Sequence, residues 1–167
     1  VDGSRLRLPD SSDCKESFGT HAFADNHNHK RGEHAYARLS VLFDVRNAMA
    51  IHASLTGLNI DERIHAHDHL KHVNVGDILV FDRGYYSYAL MADVVLHKAH
   101  FVIRCKRGVS LVAGRLLLEG VGTSEIVTLA RPTQKRATRG SATPPETLKV
   151  RFVSVILDTG ETEVLAT

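Results

Sequence analysis

Between Gly76 and Gly84 the sequence reads G-D-I-L-V-F-D-R-G. Its apolar run, Ile78 to Phe81, is too short for a helix and follows a turn, the pattern of a strand buried on both faces in the middle of a sheet. On either side the period changes. Asp61 to Val73 has helical spacing, with Ile64, His65, His69 and His72 near one another on the wheel, and Gly76 stops it. Tyr86 to Lys98 is helical again, with Leu90, Met91, Val94 and Val95 on one side, and Phe101 to Ile103 is a second short buried strand.

Upstream, the alternation has period two. Residues 1 to 8, V-D-G-S-R-L-R-L, alternate well enough for a strand that Pro9 and the Asp10 to Asp13 cluster end. Ala37 to Val45 places Leu39, Val41, Phe43 and Val45 on one face, with only Leu42 out of pattern, and Met49, Ile51, Ala53 and Leu55 resume it after Arg46-Asn47. These two segments predict an antiparallel hairpin. Thr20 to His34 is polar, rich in His and Asn, and reads as a loop. The order to about residue 105 is therefore β-β-β-α-β-α-β. Beyond Cys105, the segments 111–118, 126–129, 148–157 and 163–165 read as strands without convincing helical period, and a Pro, Thr and Arg-rich loop begins at Arg131.

A chain of 167 residues suffices for one domain, or one with a small insertion, and 43% hydrophobic with 24% charged residues excludes a disordered or fibrous class. No run has the length of a membrane span and no signal peptide is evident, so the cytoplasm is the expected location. Cys14 and Cys105 lack C-x-x-C spacing and read as reduced thiols. A net charge of +2 does not announce a nucleic-acid binder, so any basic patch must be local. Starting at Val1 rather than Met and stopping at Leu165-Ala166-Thr167, the chain reads as a piece cut at both ends.

Two aspartates stand out by position. Asp2 lies in the first strand, and Asp82 follows directly on Ile78 to Phe81, so it projects from the end of a strand. In an open sheet of this order the two strands are plausible neighbours, and their carboxylates could meet at one edge. Mg²⁺ takes oxygen ligands and is usually held by one or two carboxylates with phosphate and water. Two such ions can activate a water or a 3′-hydroxyl and stabilise the leaving oxygen in an in-line phosphoryl displacement. The plainer reading of a strand-terminal Asp is a turn former or helix cap.

Resemblance sharpens this. V-D-G-S-R-L-R-L-P followed by S-F-G resembles the opening of the catalytic domain of DDE transposases of the insertion-sequence-four group, and A-R-L-S-V-L-F-D-V resembles their second strand. G-D-I-L-V-F-D-R-G-Y-Y-S and H-F-V-I-R-C-K are similar to the block around their second catalytic Asp and the strand after it; G-E-T-E-V-L-A-T resembles the segment before their final helical block. The resemblance implies a ribonuclease-H-like mixed sheet of strand order 3-2-1-4-5 over residues 1–105, with the start of a β-rich inserted subdomain over 106–167. It implies Asp2 and Asp82 as catalytic, metal-binding carboxylates, Mg²⁺ or Mn²⁺ as cofactor, and double-stranded DNA as partner, with a homodimer in the DNA complex. The family's third carboxylate sits in a helical signature of Tyr, Arg, Glu and Lys that no segment here carries, and neither Glu161 nor Glu163 has the required neighbours. The piece alone is therefore expected to be inactive.

Phosphate contacts need Lys or Arg near the active edge. Arg83, Lys106 and Arg107 are the DNA-binding candidates, with Arg104 and, in the Pro-rich loop, Arg131, Lys135, Arg136 and Arg139 beside them; the plainer reading is a solvated charged surface. Tyr85 and Tyr86 could stack on a base, but at a helix start they more often pack on the sheet. His65, His69 and His72 share a helix face and His27 and His29 sit near His34, so an imidazole zinc site is conceivable, yet no acidic or Cys partner completes a motif. The rival functions are a two-metal nuclease that cuts without strand transfer, a non-catalytic DNA-binding remnant, and a His-rich metal module.

Overall fold

The computed structural model describes residues 1–22, 32–106, 108–119, 122–133 and 143–167. His27, His29, Arg107, Lys135, Arg136 and Arg139 lie outside them. The chain divides into two compact units, Asp2–His65 and Val1 with Ala66–Thr167.

In the first unit, β1 (Asp2–Arg7) pairs antiparallel with β3 (His34–Asp44), which pairs antiparallel with β4 (Met49–Gly57). The expected hairpin forms because Asp44 organises its turn: the carboxylate accepts the Arg46 and Asn47 backbone N–H groups at 2.9 and 3.1 Å and Asn47 Nδ2 at 2.7 Å. Two elements differ from the sequence reading. Ser12–Phe18 forms a short helix, α1, capped by the Ser11 hydroxyl, which accepts from Cys14 N at 3.3 Å. Thr20–His21, inside the expected loop, is strand β2 on β3.

The alternation also misidentified the better-buried face. Phe43 and Val45, placed with the apolar stripe, are exposed, whereas Ser40 and the out-of-pattern Leu42 are buried. A register shift between Leu42 and Phe43 breaks the period, and the polar face is covered by His65. That imidazole lies 2.6 Å from Ser54 Oγ at Nδ1 and 2.8 Å from Thr56 Oγ1 at Nε2, which satisfies its buried polar atoms.

Helix α2 (Glu62–His69) runs across the division between the units and ends in a 3-10 turn, Leu70–His72. In the second unit, β5 (Ile78–Phe81) and β6 (His100–Arg104) are parallel and joined through α3 (Tyr88–Leu96), which packs on β6. The sheet continues antiparallel through β9 (Thr162–Ala166), β8 (Thr147–Ile156) and β7 (Ser124–Ala130), in the order β5-β6-β9-β8-β7. Its core gathers Phe81, Tyr85, Leu90, Met91, Ile103 and Phe152. The architecture is mixed α/β with two sheets.

Here the structure corrects two expectations. Strand β5 is not buried on both faces: Leu79 and Phe81 are, while Ile78 and Val80 are 66% and 60% exposed, so only one side of it is covered. Leu111–Glu119, expected as a strand, is helix α4, packed on β8 and β9. The Ser110 hydroxyl accepts Ala113 N at 2.9 Å and the Ser110 carbonyl accepts Gly114 N at 3.0 Å, which starts the helix. Ala113 and Leu116 are buried, three residues apart, while Leu111 and Leu118 are exposed; leucines on both faces hide the period.

Candidate active site

Asp82 is the first residue after β5, between the buried Phe81 and a turn that brings the chain into α3. The Tyr85 backbone N–H donates to the Asp82 carbonyl at 3.3 Å, and the Tyr85 ring, 1% exposed, packs against Phe81 with centroids 5.6 Å apart. Helix α3 then starts under a Ser87 cap, whose hydroxyl accepts Leu90 N at 3.2 Å. Two buried rings thus hold both ends of the turn, and Asp82, Arg83 and Gly84 between them are exposed.

The Asp82 carboxylate is itself held: Oδ1 accepts the Gly84 backbone N–H at 2.7 Å, and Oδ2 has no hydrogen-bond partner among the described residues. In the other unit Asp2 opens β1, opposite Val41, and is exposed with Oδ1 accepting Gly3 N at 2.8 Å. Each aspartate keeps an oxygen open to a hard cation, the donor type Mg²⁺ and Mn²⁺ prefer. Val1, which belongs to the same unit as Asp82, donates its amino group to the Val80 carbonyl at 2.9 Å.

The basic candidates separate. Arg83 and Lys106 are exposed and make no ion pair among the described residues, and Arg107 lies outside them. Arg104 is engaged by Glu163 across the β6–β9 boundary, and Arg131 donates to the Pro144 carbonyl at 3.0 Å. Glu163, weighed above as a third carboxylate, is thereby an ion-pair partner within the sheet. Burial, then Cys105 nearby, pushes the Tyr86 phenol up to about 12, and burial pushes the Cys105 thiol up to about 11. Both stay protonated at neutral pH, which suits packing more than proton transfer.

The helix histidines do not assemble. His65 and His69 are buried and His72 is exposed, and among the described residues no group of three or more His, Cys, Asp or Glu side chains is arranged to hold a metal ion. His67, on the same helix and without a sequence signal of its own, places its Nδ1 2.6 Å from Asp93 Oδ2. No helix among the described residues is long and apolar enough to cross a membrane.

The chain is thus mixed α/β, with one exposed aspartate in its first strand and another just past the parallel strand β5. The family model described as Transposase DDE domain matches residues 1–159, and the chain belongs to that family. Membership makes it a transposase domain with DNA as the substrate class. No curated protein matches the chain.

Proposed function

We propose that Asp2 and Asp82 are the first two carboxylates of a two-metal centre that cuts one DNA strand at each end of an insertion sequence and joins the freed 3′-hydroxyl to target DNA. The single observation that carries this is the presentation of Asp82, exposed at the end of β5 with Oδ1 held by Gly84 and Oδ2 open. Family membership supports the pairing with Asp2. On this reading the ladders β4-β3-β1 and β5-β6 are parts of one ribonuclease-H-like order. Residues 1–105 then form the catalytic core and 106–167 a β-rich insertion.

Mg²⁺ or Mn²⁺, when bound, supplies charge neutralisation at the scissile phosphate and lowers the pKa of an attacking water. Asp2 and Asp82 would hold it through their open oxygens. Arg83, Lys106 and Arg107 would contact DNA phosphates and fix the strand in register, contacts that position without reading sequence. The third carboxylate is assigned to no residue of this sequence. The working form is a homodimer on DNA, in the cytoplasm, of the insertion-sequence-four group.

Strand transfer by the transposase on labelled element ends tests the reading. Joined products in Mg²⁺, absent in Asp2→Ala and Asp82→Ala, are expected. Cutting without joining would make it a nuclease of the same fold, and DNA binding indifferent to Mg²⁺ and to both substitutions would make it a non-catalytic binder.

A further inference from the structure

Gly84 sits in an exposed turn where a glycine ordinarily signals backbone freedom, but its conformation does not call for one. Among the described residues the glycines with positive φ are Gly19, Gly76, Gly122 and Gly160, and Gly84 is not among them. An alanine would fit its backbone. What stands in the way of a side chain is one group: a Cβ at Gly84 would lie 3.0 Å from Asp82 Oδ1 and 3.8 Å from both Cγ and Oδ2, its three nearest atoms. The same Oδ1 receives the Gly84 N–H at 2.7 Å.

We propose that Gly84 is a positioning residue for the Asp82 carboxylate: its N–H clamps Oδ1 and its missing side chain leaves the space in which that clamp closes, so that Oδ2 is presented to the divalent cation. The inference rests on Asp82 being a metal ligand, as proposed above. A carboxylate held this way loses less rotamer freedom on binding metal and offers one defined oxygen, whereas a Cβ at 84, 3.0 Å from Oδ1, displaces the carboxyl end of a flexible side chain and leaves the backbone in place. The effect of Gly84→Ala therefore falls on metal binding and not on folding. Hydrogen-bond partners of metal ligands are worth roughly 10- to 100-fold in metal affinity.

The experiment titrates Mn²⁺ into the full chain, with free Mn²⁺ read by electron paramagnetic resonance and the bound ion by water-proton relaxation. Wild type is compared with Asp82→Asn, Gly84→Ala and Gly108→Ala, the last a glycine whose Cβ would meet nothing within 4 Å. Gly84→Ala is expected to bind Mn²⁺ about tenfold more weakly, with altered relaxation enhancement. Its melting midpoint should stay within about 2 °C of wild type, and Gly108→Ala should match wild type throughout. If Asp82→Asn binds as wild type does, the metal reading fails and takes this inference with it. If Asp82→Asn loses the site while Gly84→Ala binds unchanged, only the inference fails. A fall in melting midpoint beyond about 5 °C for Gly84→Ala would make the glycine structural and also overturns it.

Discussion

His67 Nδ1 and Asp93 Oδ2 stand 2.6 Å apart, on α2 and α3, with side chains only 15% and 9% exposed. The Asp93 carbonyl also accepts His97 Nδ1–H, at 2.8 Å, so a single residue of α3 ties two imidazoles to the apolar wall formed by Leu90, Met91 and Val94. Removing one partner of a buried polar pair leaves the other unsatisfied. Asp93→Ala is expected to lower stability by about 2 to 3 kcal/mol, measured by urea unfolding. A double-mutant cycle with His67→Ala should show strong coupling, and additive losses would mean that the pair contributes nothing of its own.

Asp61 lies just ahead of α2, and its Oδ1 accepts both the Arg63 backbone N–H at 2.9 Å and Arg63 Nε at 3.0 Å. The Arg63 side chain first, then its backbone N–H, holds the Asp61 carboxyl at about 2, below the ordinary 3.8. Because the folded value is depressed, the stabilisation is present above pH of about 4 and disappears as pH falls toward 2. The Asp61 side chain is 46% exposed, so screening keeps the charge contribution on the order of 0.5 kcal/mol. Unfolding of wild type and Asp61→Asn from pH 6 to 2 should show a gap that narrows only below pH 4; a gap constant to pH 2 would sink this account.

Much of the fold could be read from periodicity alone where one period prevailed. The β3–β4 hairpin follows from alternation plus a polar turn, and α3 from Leu90, Met91 and Val94 at helical spacing. Helix α4 could not be read this way because Leu111 and Leu118 face solvent while Ala113 and Leu116 face the sheet, and in sequence these look equally apolar. Helix α1 has no buried residue and so leaves no apolar signature; only its Ser11 cap and the Gly19 at its end mark it. The burial of Ser40 was invisible for the opposite reason, since a polar face covered by a hydrogen-bonded histidine looks like a solvent face. At the candidate site, the position of Asp82 just past a strand was legible from the apolar run before it. The Gly84 clamp was not, because a glycine after Asp-Arg reads as a turn former whatever its N–H is bonded to.

Ala48, at the end of the β3–β4 turn, has φ of 51°, in the left-handed region where a Cβ crowds the following carbonyl. Glycine relieves that crowding, though it adds entropy to the unfolded chain. Ala48→Gly is expected to raise stability by about 0.5 to 1 kcal/mol, or roughly 2 to 4 °C in melting midpoint. Calorimetry checks the sign. A lower midpoint would mean that the turn keeps its geometry without strain at Ala48.

The last expectation concerns activity of the 167-residue chain by itself. On the proposed function Asp2 and Asp82 supply two carboxylates, while a pair of ions flanking a scissile phosphate needs further oxygen ligands. Glu163 is held by Arg104, and among the described residues no cluster of three acidic or imidazole groups supplies what is missing. Weak Mn²⁺ binding without cleavage is the consequence. Incubating the chain with supercoiled plasmid and Mg²⁺ or Mn²⁺ should leave the plasmid intact over hours, while Mn²⁺ resonance still reports a bound ion that Asp82→Ala removes. Robust nicking that disappears in Asp82→Ala would locate the further ligand within these 167 residues, and Arg104→Ala, which releases Glu163, would then show whether that carboxylate is the one recruited.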